Sequence, residues 1–172
     1  MSGKGAAADG SRIAVTLPAK DFVSDWRRYN LVANYIAEYV SYFFEHRDRA
    51  ENVISSVFYE LLEHMTTLSG EDARLATRLL TETDRVVFEI STSSPRADAL
   101  ESHRALMKDL GSADIDSFYR ALLESPSDGP RPQGELGLTM LAHDYRATLS
   151  TVEGPSGSVT LHVSLGLEEL RP

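Results

Sequence analysis

Hydrophobic and polar residues alternate along this chain with two different periods. From Ile13 to Leu17 every second residue is apolar, which predicts a short strand that ends at Pro18. Apolar residues then recur at intervals of three and four, which predicts one long helix from Phe22 to Phe43. The apolar stripe of this helix consists of Phe22, Trp26, Tyr29, Ala33, Ile36, Val40 and Phe43.

The first helix carries more apolar residues than one stripe requires. The additional residues are Leu31, Val32, Tyr35, Tyr39 and Tyr42. In the simpler interpretation they belong to the core of the same chain. Otherwise they need a second cover, which the segment from Ala97 to Leu123 or a second protein provides. Tyrosines suit a protein interface, because the ring is buried while the hydroxyl keeps a polar partner. We therefore expect self-association, with a two-fold homodimer as the default arrangement.

A second helix is predicted from Arg49 to Leu68, and its stop signal is Ser69-Gly70. The opposite face of this helix carries polar side chains, among which Glu60 and His64 lie one turn apart. The residues predicted to face the core are Val53, Ile54, Val57, Phe58, Leu61, Leu62 and Met65.

The remaining patterns predict an α+β fold, a two-layer sandwich with a mixed or antiparallel sheet and helices on one face. We expect a flexible segment at residues 1–11 and a single domain from residue 12 to 172. The predicted elements are strands at Ala73–Thr83 and Arg85–Thr92, helices at Ala97–Leu110 and Ile115–Leu123, a loop at Ser125–Gly134, a helix at Glu135–Asp144, and strands at Arg146–Val152 and Ser158–Leu165.

The charge and composition exclude several classes of partner. The 172 residues include 17 Lys and Arg and 26 Asp and Glu, a net charge of −9 that opposes binding to nucleic acid or to an anionic membrane. There is no cysteine, so disulfides and thiolate metal sites are ruled out. Since no apolar run is long enough for a secretory signal or a membrane span, we expect a cytoplasmic protein.

Three segments stand in an order that is typical of one family. They are FYELLEH at 58–64, the strand and turn at 85–95, and GELGLTML at 134–141 followed by a hairpin with Gly154 and Gly157. Together they resemble the GHKL (Bergerat) histidine-kinase-like ATPase fold, in particular its anti-sigma-factor serine kinases and SiaB-like single-domain regulators.

The resemblance implies an ATP site and also shows where this chain departs from the family. Glu60 matches the glutamate that orients or deprotonates a reactant, and Gly134 and Gly137 match glycines that approach the triphosphate. His64 stands where an asparagine holds Mg²⁺, and imidazole is a poor Mg²⁺ ligand. The sequence STSSP at 91–95 replaces the Asp-x-Gly-x-Gly turn that recognises adenine. We therefore expect no cofactor, with ATP and Mg²⁺ as the ligands if the site is functional.

Each candidate residue also has a simpler interpretation. Glu60 is expected to be an ordinary solvent-facing helix charge unless it is the catalytic base. A metal site at Glu60 and His64 lacks a third ligand, so we expect none. Gly134 and Gly137 permit a loop-to-helix turn without any ligand. His103, His143 and His162 are scattered and indicate no separate enzyme site, and the Ser/Thr run at 91–94 is ordinary loop composition.

The sequence thus predicts a regulatory protein-binding domain with a degenerate ATP site, in a bacterial signalling or partner-switching pathway. The resemblance implies a sigma factor or a small anti-sigma-antagonist domain as partner. The alternative is an active serine/threonine kinase that uses Glu60, ATP and Mg²⁺ on such a partner. A third hypothesis is a partner of a two-component response regulator.

Overall fold

The computed structural model describes residues 10–112, 114–124 and 134–170. Within these residues the chain forms five strands, six α-helices and a 3₁₀ helix at Leu167–Leu170. In chain order the elements are β1 (Gly10–Pro18), α1 (Lys20–Val23), α2 (Arg27–Ser41), α3 (Arg47–Leu68), β2 (Arg74–Thr81), β3 (Arg85–Thr92), α4 (Ala97–Ser112), α5 (Ile115–Glu124), α6 (Glu135–Asp144), β4 (Thr148–Glu153) and β5 (Val159–Gly166).

The five strands form one open sheet in the order β1-β2-β3-β5-β4, and every neighbouring pair is antiparallel. Of the two sheet types that the sequence left open, the antiparallel one is therefore confirmed. Alternate residues of β2, β3 and β5 are buried, so one face of the sheet lies against the helices and the other is polar. The architecture is α+β and consistent with a two-layer sandwich.

Helix α3 lies on the centre of the sheet. The ring of Phe58 meets the ring of Phe88 on β3 edge to face, with centroids 5.7 Å apart. Val57, Leu61 and Met65 are fully buried, which confirms the predicted inward face of this helix. Because one face of α3 packs on the sheet, its other faces can contact the neighbouring helices.

The single helix predicted from Phe22 to Phe43 is wrong, since the chain breaks it into α1 and α2. At the break, the Asp25 carboxylate accepts a hydrogen bond from the backbone N–H of Arg27, the first residue of α2, at 3.1 Å. Two residues of the predicted stripe, Trp26 and Phe43, lie just outside α2 and are 64% and 50% exposed, whereas Phe22 lies in α1 and is buried.

The other element boundaries need smaller corrections. Strand β1 begins at Gly10, two residues before the predicted start of order at Arg12. Helix α4 continues through Gly111 to Ser112, where the sequence predicted a break. Residues 1–9 of the segment predicted to be flexible, 1–11, and residues 125–133 of the predicted loop lie outside the described residues.

The outward face of α2 is exposed within the chain. Leu31, Tyr35 and Tyr42 are 69%, 68% and 64% exposed. For these three residues, burial in the core and cover by the segment from Ala97 to Leu123, two of the predicted alternatives, are therefore wrong. None of the described helices is long and apolar enough to cross a membrane.

Candidate functional site

Helix α3 brings its two candidate residues to one side. Glu60 and His64 are separated by one helical turn, so their side chains project in nearly the same direction. Helices α4 and α6 both pack against α3. This packing covers the face that the sequence assigned to chemistry.

Glu60 is held against the first turn of α6. A β-carbon placed on Gly137 would overlap the carboxylate at the far end of the Glu60 side chain, so that carboxylate occupies its present position because residue 137 is glycine. Glu60 is half-buried. It is therefore not the freely solvated helix charge that the sequence favoured.

The surroundings of Glu60 disfavour its charged form. Burial, and after it the nearby negative charge of Glu63, raises the pKa of the Glu60 carboxyl above its ordinary value. A carboxylate with a raised pKa is a stronger proton acceptor, which is the property that a general base needs. The same shift also follows simply from packing a carboxylate under a helix.

Gly134 makes the second contact between α6 and α3. It precedes the helix with φ at 90°, a conformation that glycine adopts without strain. A β-carbon there would lie 2.9 Å from Cβ and 3.0 Å from Cα of His64. The structure thus brings together all the candidate residues that the sequence singled out, Glu60, His64, Gly134 and Gly137.

The His64 side chain is only 6% exposed, and its hydrogen bond leads to α4. His64 Nε2 lies 2.8 Å from Nδ1 of His103, and His103 Nε2 lies 2.8 Å from the hydroxyl of Thr151 on β4. His64 Nδ1 has no hydrogen-bond partner among the described residues. The three side chains form a polar chain from α3 through α4 to the sheet, in which both histidines are buried and Thr151 is half-buried.

Two proton arrangements satisfy this chain. In one, His64 Nε2–H donates to His103, which donates through its Nε2–H to Thr151; in the other, both bonds run in reverse. The reverse arrangement places the His64 proton on Nδ1, where no described residue accepts it. Because a buried N–H without an acceptor is costlier than an unpaired lone pair, the first arrangement is favoured.

Both histidines are neutral near pH 7. Burial, with a smaller effect from His103, lowers the pKa of His64 from 6.5 to about 3. Burial also lowers the pKa of His103, against the opposing effect of Glu153. The pair therefore acts as a neutral packing and hydrogen-bonding unit between α3 and α4.

The segment STSSP at 91–95 and the residue that follows it are tied to the end of α3. The carbonyl of Ser94 accepts from the backbone N–H of Gly70 at 2.8 Å, and the N–H of Arg96 donates to Leu68 at 2.8 Å. The hydroxyls of Ser69 and Thr92 lie 2.7 Å apart in the interior. These contacts use the polar groups of the segment to fix the end of one helix and the start of the next.

A separate cleft of about 870 Å³ opens beside α1 and the end of α3. Its lining includes the aromatic Trp26 and Tyr29, the basic Lys20 and Arg96, and the acidic Asp72. Arg96 already pairs with Asp98 at 2.6 Å. With charges of both signs, the cleft has no preference for an anionic or a cationic ligand.

Sequence reasoning missed His103, because it lies 39 positions from His64. One signal was available: Leu100, His103 and Leu106 are spaced by three on α4, so the histidine falls on the apolar stripe of the helix. His143 and His162 lie elsewhere, His143 against the Tyr119 ring at 4.3 Å and His162 3.5 Å from Glu89 on the polar face of the sheet.

The described residues contain no group of three or more His, Asp or Glu side chains that could hold a metal ion. Comparisons of the chain with protein-family models, with curated proteins and with solved structures gave no match.

Proposed function

We propose that this chain is a regulatory, protein-binding domain of the histidine-kinase-like ATPase fold, with an ATP site that has lost its function. The observation that carries the proposal is the cover over α3. His64 is hydrogen-bonded to His103 of α4 at 2.8 Å, and Glu60 is packed against the backbone of α6 at Gly137.

The order of elements supports the Bergerat-like part of the proposal. The motif-bearing helix α3 packs on an antiparallel sheet, followed by a hairpin of β2 and β3, a covering helical segment, and α6 before the final hairpin. The glycines of α6 lie against the motif-bearing face of α3. That proximity is what the resemblance between segments 58–64 and 134–141 requires.

The loss of nucleotide binding follows from three departures from the family pattern. His64 offers a neutral nitrogen where Mg²⁺ prefers oxygen, and its Nε2 is already engaged by His103. The segment at 91–95 has no carboxylate to accept from an adenine amino group, and Ser94 bonds to Gly70. Glu135 in the first turn of α6 places a negative charge where a phosphate would need to approach.

Protein binding is the role that remains for such a scaffold. The proposed partner is an antagonist-type domain, a sigma factor or a response regulator in a bacterial cytoplasmic signalling pathway, as the family resemblance implies. The net charge of −9 opposes nucleic acid as the alternative partner.

Calorimetric titration of the whole chain with ATP and Mg²⁺ tests the proposal. We expect no measurable binding heat, and no change in thermal midpoint when ATP and Mg²⁺ are present. Binding at micromolar ATP would overturn the loss of the site. The matched variant His103→Ala removes the ring that covers His64. If ATP binding is lost because the site is covered, this variant should gain affinity for ATP. If it is lost because the residues themselves have changed, the variant should gain none.

An active serine/threonine kinase is the second candidate function. It is favoured by one observation, the half-buried Glu60 with its raised pKa beside the glycines of α6. This candidate requires transfer of labelled phosphate from ATP to a serine or threonine of the partner. It also requires that Glu60→Gln abolish the transfer while the fold is retained.

A further inference from the structure

The cleft of about 870 Å³ beside α1 lies on a different side of α3 from the candidate site. Thr66 lines this cleft and follows His64 by two positions, which turns its side chain about 200° around the helix axis from that of His64. Sites for small molecules in proteins typically enclose about 300–1,000 Å³ and combine apolar walls with a few polar groups. The cleft has this size, and its lining has both kinds of group.

The break between α1 and α2 supplies an apolar wall of the cleft. Val23, the last residue of α1, and Trp26, which precedes α2, are 76% and 64% exposed, and both line the cleft. The buried rings of Phe22 and Tyr29 also line it and stack on each other, with centroids 5.1 Å apart and planes inclined by 9°. Exposed apolar side chains beside a packed aromatic pair suit the apolar part of a ligand.

One buried hydroxyl in the cleft lining has no hydrogen-bond partner. Thr66 is 5% exposed, and no described residue forms a hydrogen bond with its Oγ1. Burial raises the pKa of Tyr29 and the adjacent Thr66 hydroxyl opposes that rise, but the two groups do not reach hydrogen-bonding geometry. A buried hydroxyl without a partner is costly, so a ligand that forms a hydrogen bond with Thr66 offsets that cost.

Charges of opposite sign stand at one rim of the cleft. The backbone N–H of Ala19 donates to the carbonyl of Ala73 at 2.9 Å, which joins the end of β1 to the start of β2. Lys20 follows the first of these residues, and Glu71 and Asp72 precede the second, so all three exposed charges lie at this junction. Within the described part of the chain, none of the three forms an ion pair.

We propose that this cleft binds a small zwitterion with an apolar body, namely a free α-amino acid with an aromatic side chain. Its carboxylate pairs with Lys20 and its ammonium group with Asp72 or Glu71. Its side chain lies against Trp26, and the Thr66 hydroxyl supplies a hydrogen bond to its polar end. A ligand with a single charge is attracted by one of the rim groups and repelled by the other, whereas a zwitterion is attracted by both.

The fluorescence of Trp26 tests the proposal directly, because it is the single tryptophan of the chain and lines the cleft. The probe is L-phenylalanine, whose own emission does not overlap that of tryptophan. We expect a saturable change in Trp26 emission as L-phenylalanine is added to the whole chain, with a dissociation constant of about 1 mM or lower. Emission and calorimetric heat that both stay unchanged up to about 10 mM L-phenylalanine would overturn the proposal.

Two analogues that each lack one charge test the zwitterionic character of the ligand. Phenethylamine has no carboxylate and hydrocinnamate has no ammonium group, so each should bind at least about threefold more weakly than L-phenylalanine. Lys20→Gln should weaken L-phenylalanine and hydrocinnamate and should not weaken phenethylamine. The matched control Lys108→Gln, at an exposed lysine of α4 outside the cleft, should change none of them. Analogues that bind as tightly as L-phenylalanine would contradict the proposed ligand class.

The variant Thr66→Val should have two opposite effects. Loss of the hydrogen bond should weaken L-phenylalanine by about two- to tenfold, whereas loss of an unpartnered hydroxyl should raise the thermal midpoint of the free chain. The matched control is Thr139→Val, because the Thr139 hydroxyl donates to the carbonyl of Glu135 at 2.8 Å. It should lower the midpoint and leave the affinity unchanged. Full affinity in Thr66→Val would remove Thr66 from the proposed site.

This inference does not rest on the proposed loss of ATP binding. None of the four candidate residues, Glu60, His64, Gly134 and Gly137, lines the cleft. A chain that binds neither ATP nor L-phenylalanine would overturn the cleft proposal alone. A chain that binds both at once, with ATP at micromolar concentration, would overturn the proposed function alone.

Discussion

At the scale of single residues, the junction of α3 and α6 depends on two glycines at the start of α6, Gly134 immediately before the helix and Gly137 in its first turn. The two glycines meet different obstacles. A β-carbon on Gly137 meets the mobile end of Glu60, whereas one on Gly134 meets Cα and Cβ of His64, which cannot move independently of the helix. Substitution should therefore have different consequences at the two sites.

We predict that Gly134→Ala is the more destabilising substitution. It places a side chain on a backbone with φ at 90° and against α3, at a cost of roughly 1–3 kcal/mol or more in the free energy of unfolding. Gly137→Ala should change that free energy by less than about 1 kcal/mol, because alanine favours the helix while Glu60 moves aside. Urea denaturation of both variants measures the difference.

The double variant Glu60→Ala with Gly137→Ala serves as the control for this explanation. Once the carboxylate is gone, Gly137→Ala should become stabilising, with a gain of up to about 1 kcal/mol from helix propensity. If Gly137→Ala has the same effect with and without Glu60, the described contact does not govern this position.

The buried histidine pair predicts a loss of stability in mild acid. The pKa of His64 falls from 6.5 to about 3 on folding, so between these values the unfolded chain binds the proton and the folded chain does not. The contribution of neutral His64 to the free energy of unfolding is fully present above pH 6.5. It declines as the pH falls below this value, by roughly 1 kcal/mol per pH unit. His103 adds a loss of the same sign. Urea midpoints measured at several pH values test the trend.

The pH prediction has a matched control pair. In the variant that carries both His64→Leu and His103→Leu, the loss of stability between about pH 7 and pH 5 should become smaller, since the titrating groups are absent. His46→Gln, which changes an exposed histidine, should leave the loss unchanged. The raised pKa of Glu60 acts in the opposite direction in both proteins, so it does not account for the difference.

The sequence located part of the candidate site and missed the rest for a physical reason. Glu60 and His64 share a helix, so their proximity follows from the helical period. The family resemblance assigned Gly134 and Gly137 to the same site, but their direct contact with His64 and Glu60 was not predicted. His103 and Thr151 join His64 only through tertiary packing of α4 and β4, which no local pattern encodes.

At the scale of elements, α3 is the helix whose packing supports the others. Leu61 is fully buried at its centre, facing the sheet. We predict that Leu61→Ala lowers the free energy of unfolding by about 2–5 kcal/mol, because it leaves a cavity that rigid neighbours do not fill. The control Asn52→Ala, at an exposed position of the same helix, should change it by less than about 0.5 kcal/mol. Equal effects in urea denaturation would contradict the central position of α3.

Element boundaries were predictable where the sequence marks both ends. Strand β3 and helix α6 have the predicted limits, since turn residues or glycine precede both. The break between α1 and α2 was missed because the apolar period continues across it. The signal was Ser24-Asp25, since such polar residues favour the start of a helix over its interior.

At the scale of the whole molecule, hydrophobic periodicity specifies neither the order of the strands in the sheet nor which helices pack over α3. Alternation predicts which face of each strand is buried, yet β5 could pair with any open edge. In the structure it lies between β3 and β4, which brings Thr151 of β4 to the edge beside α4. The candidate site is therefore assembled from elements that are distant in sequence, and the fold determines its content.

The helices differ in how many of their residues are buried, which predicts that local stability differs across the molecule. Helix α3 has eleven buried residues, whereas α5 has none and contacts α6 through the Tyr119 and His143 rings. Because regions with few buried contacts open at low free-energy cost, the amides of α5 should exchange with deuterium much faster than those of α3. Tyr119→Ala should accelerate exchange in α5 further and leave α3 unchanged. Hydrogen-exchange mass spectrometry measures both, and equal protection of α5 and α3 would mean that α5 has a cover beyond the contacts described.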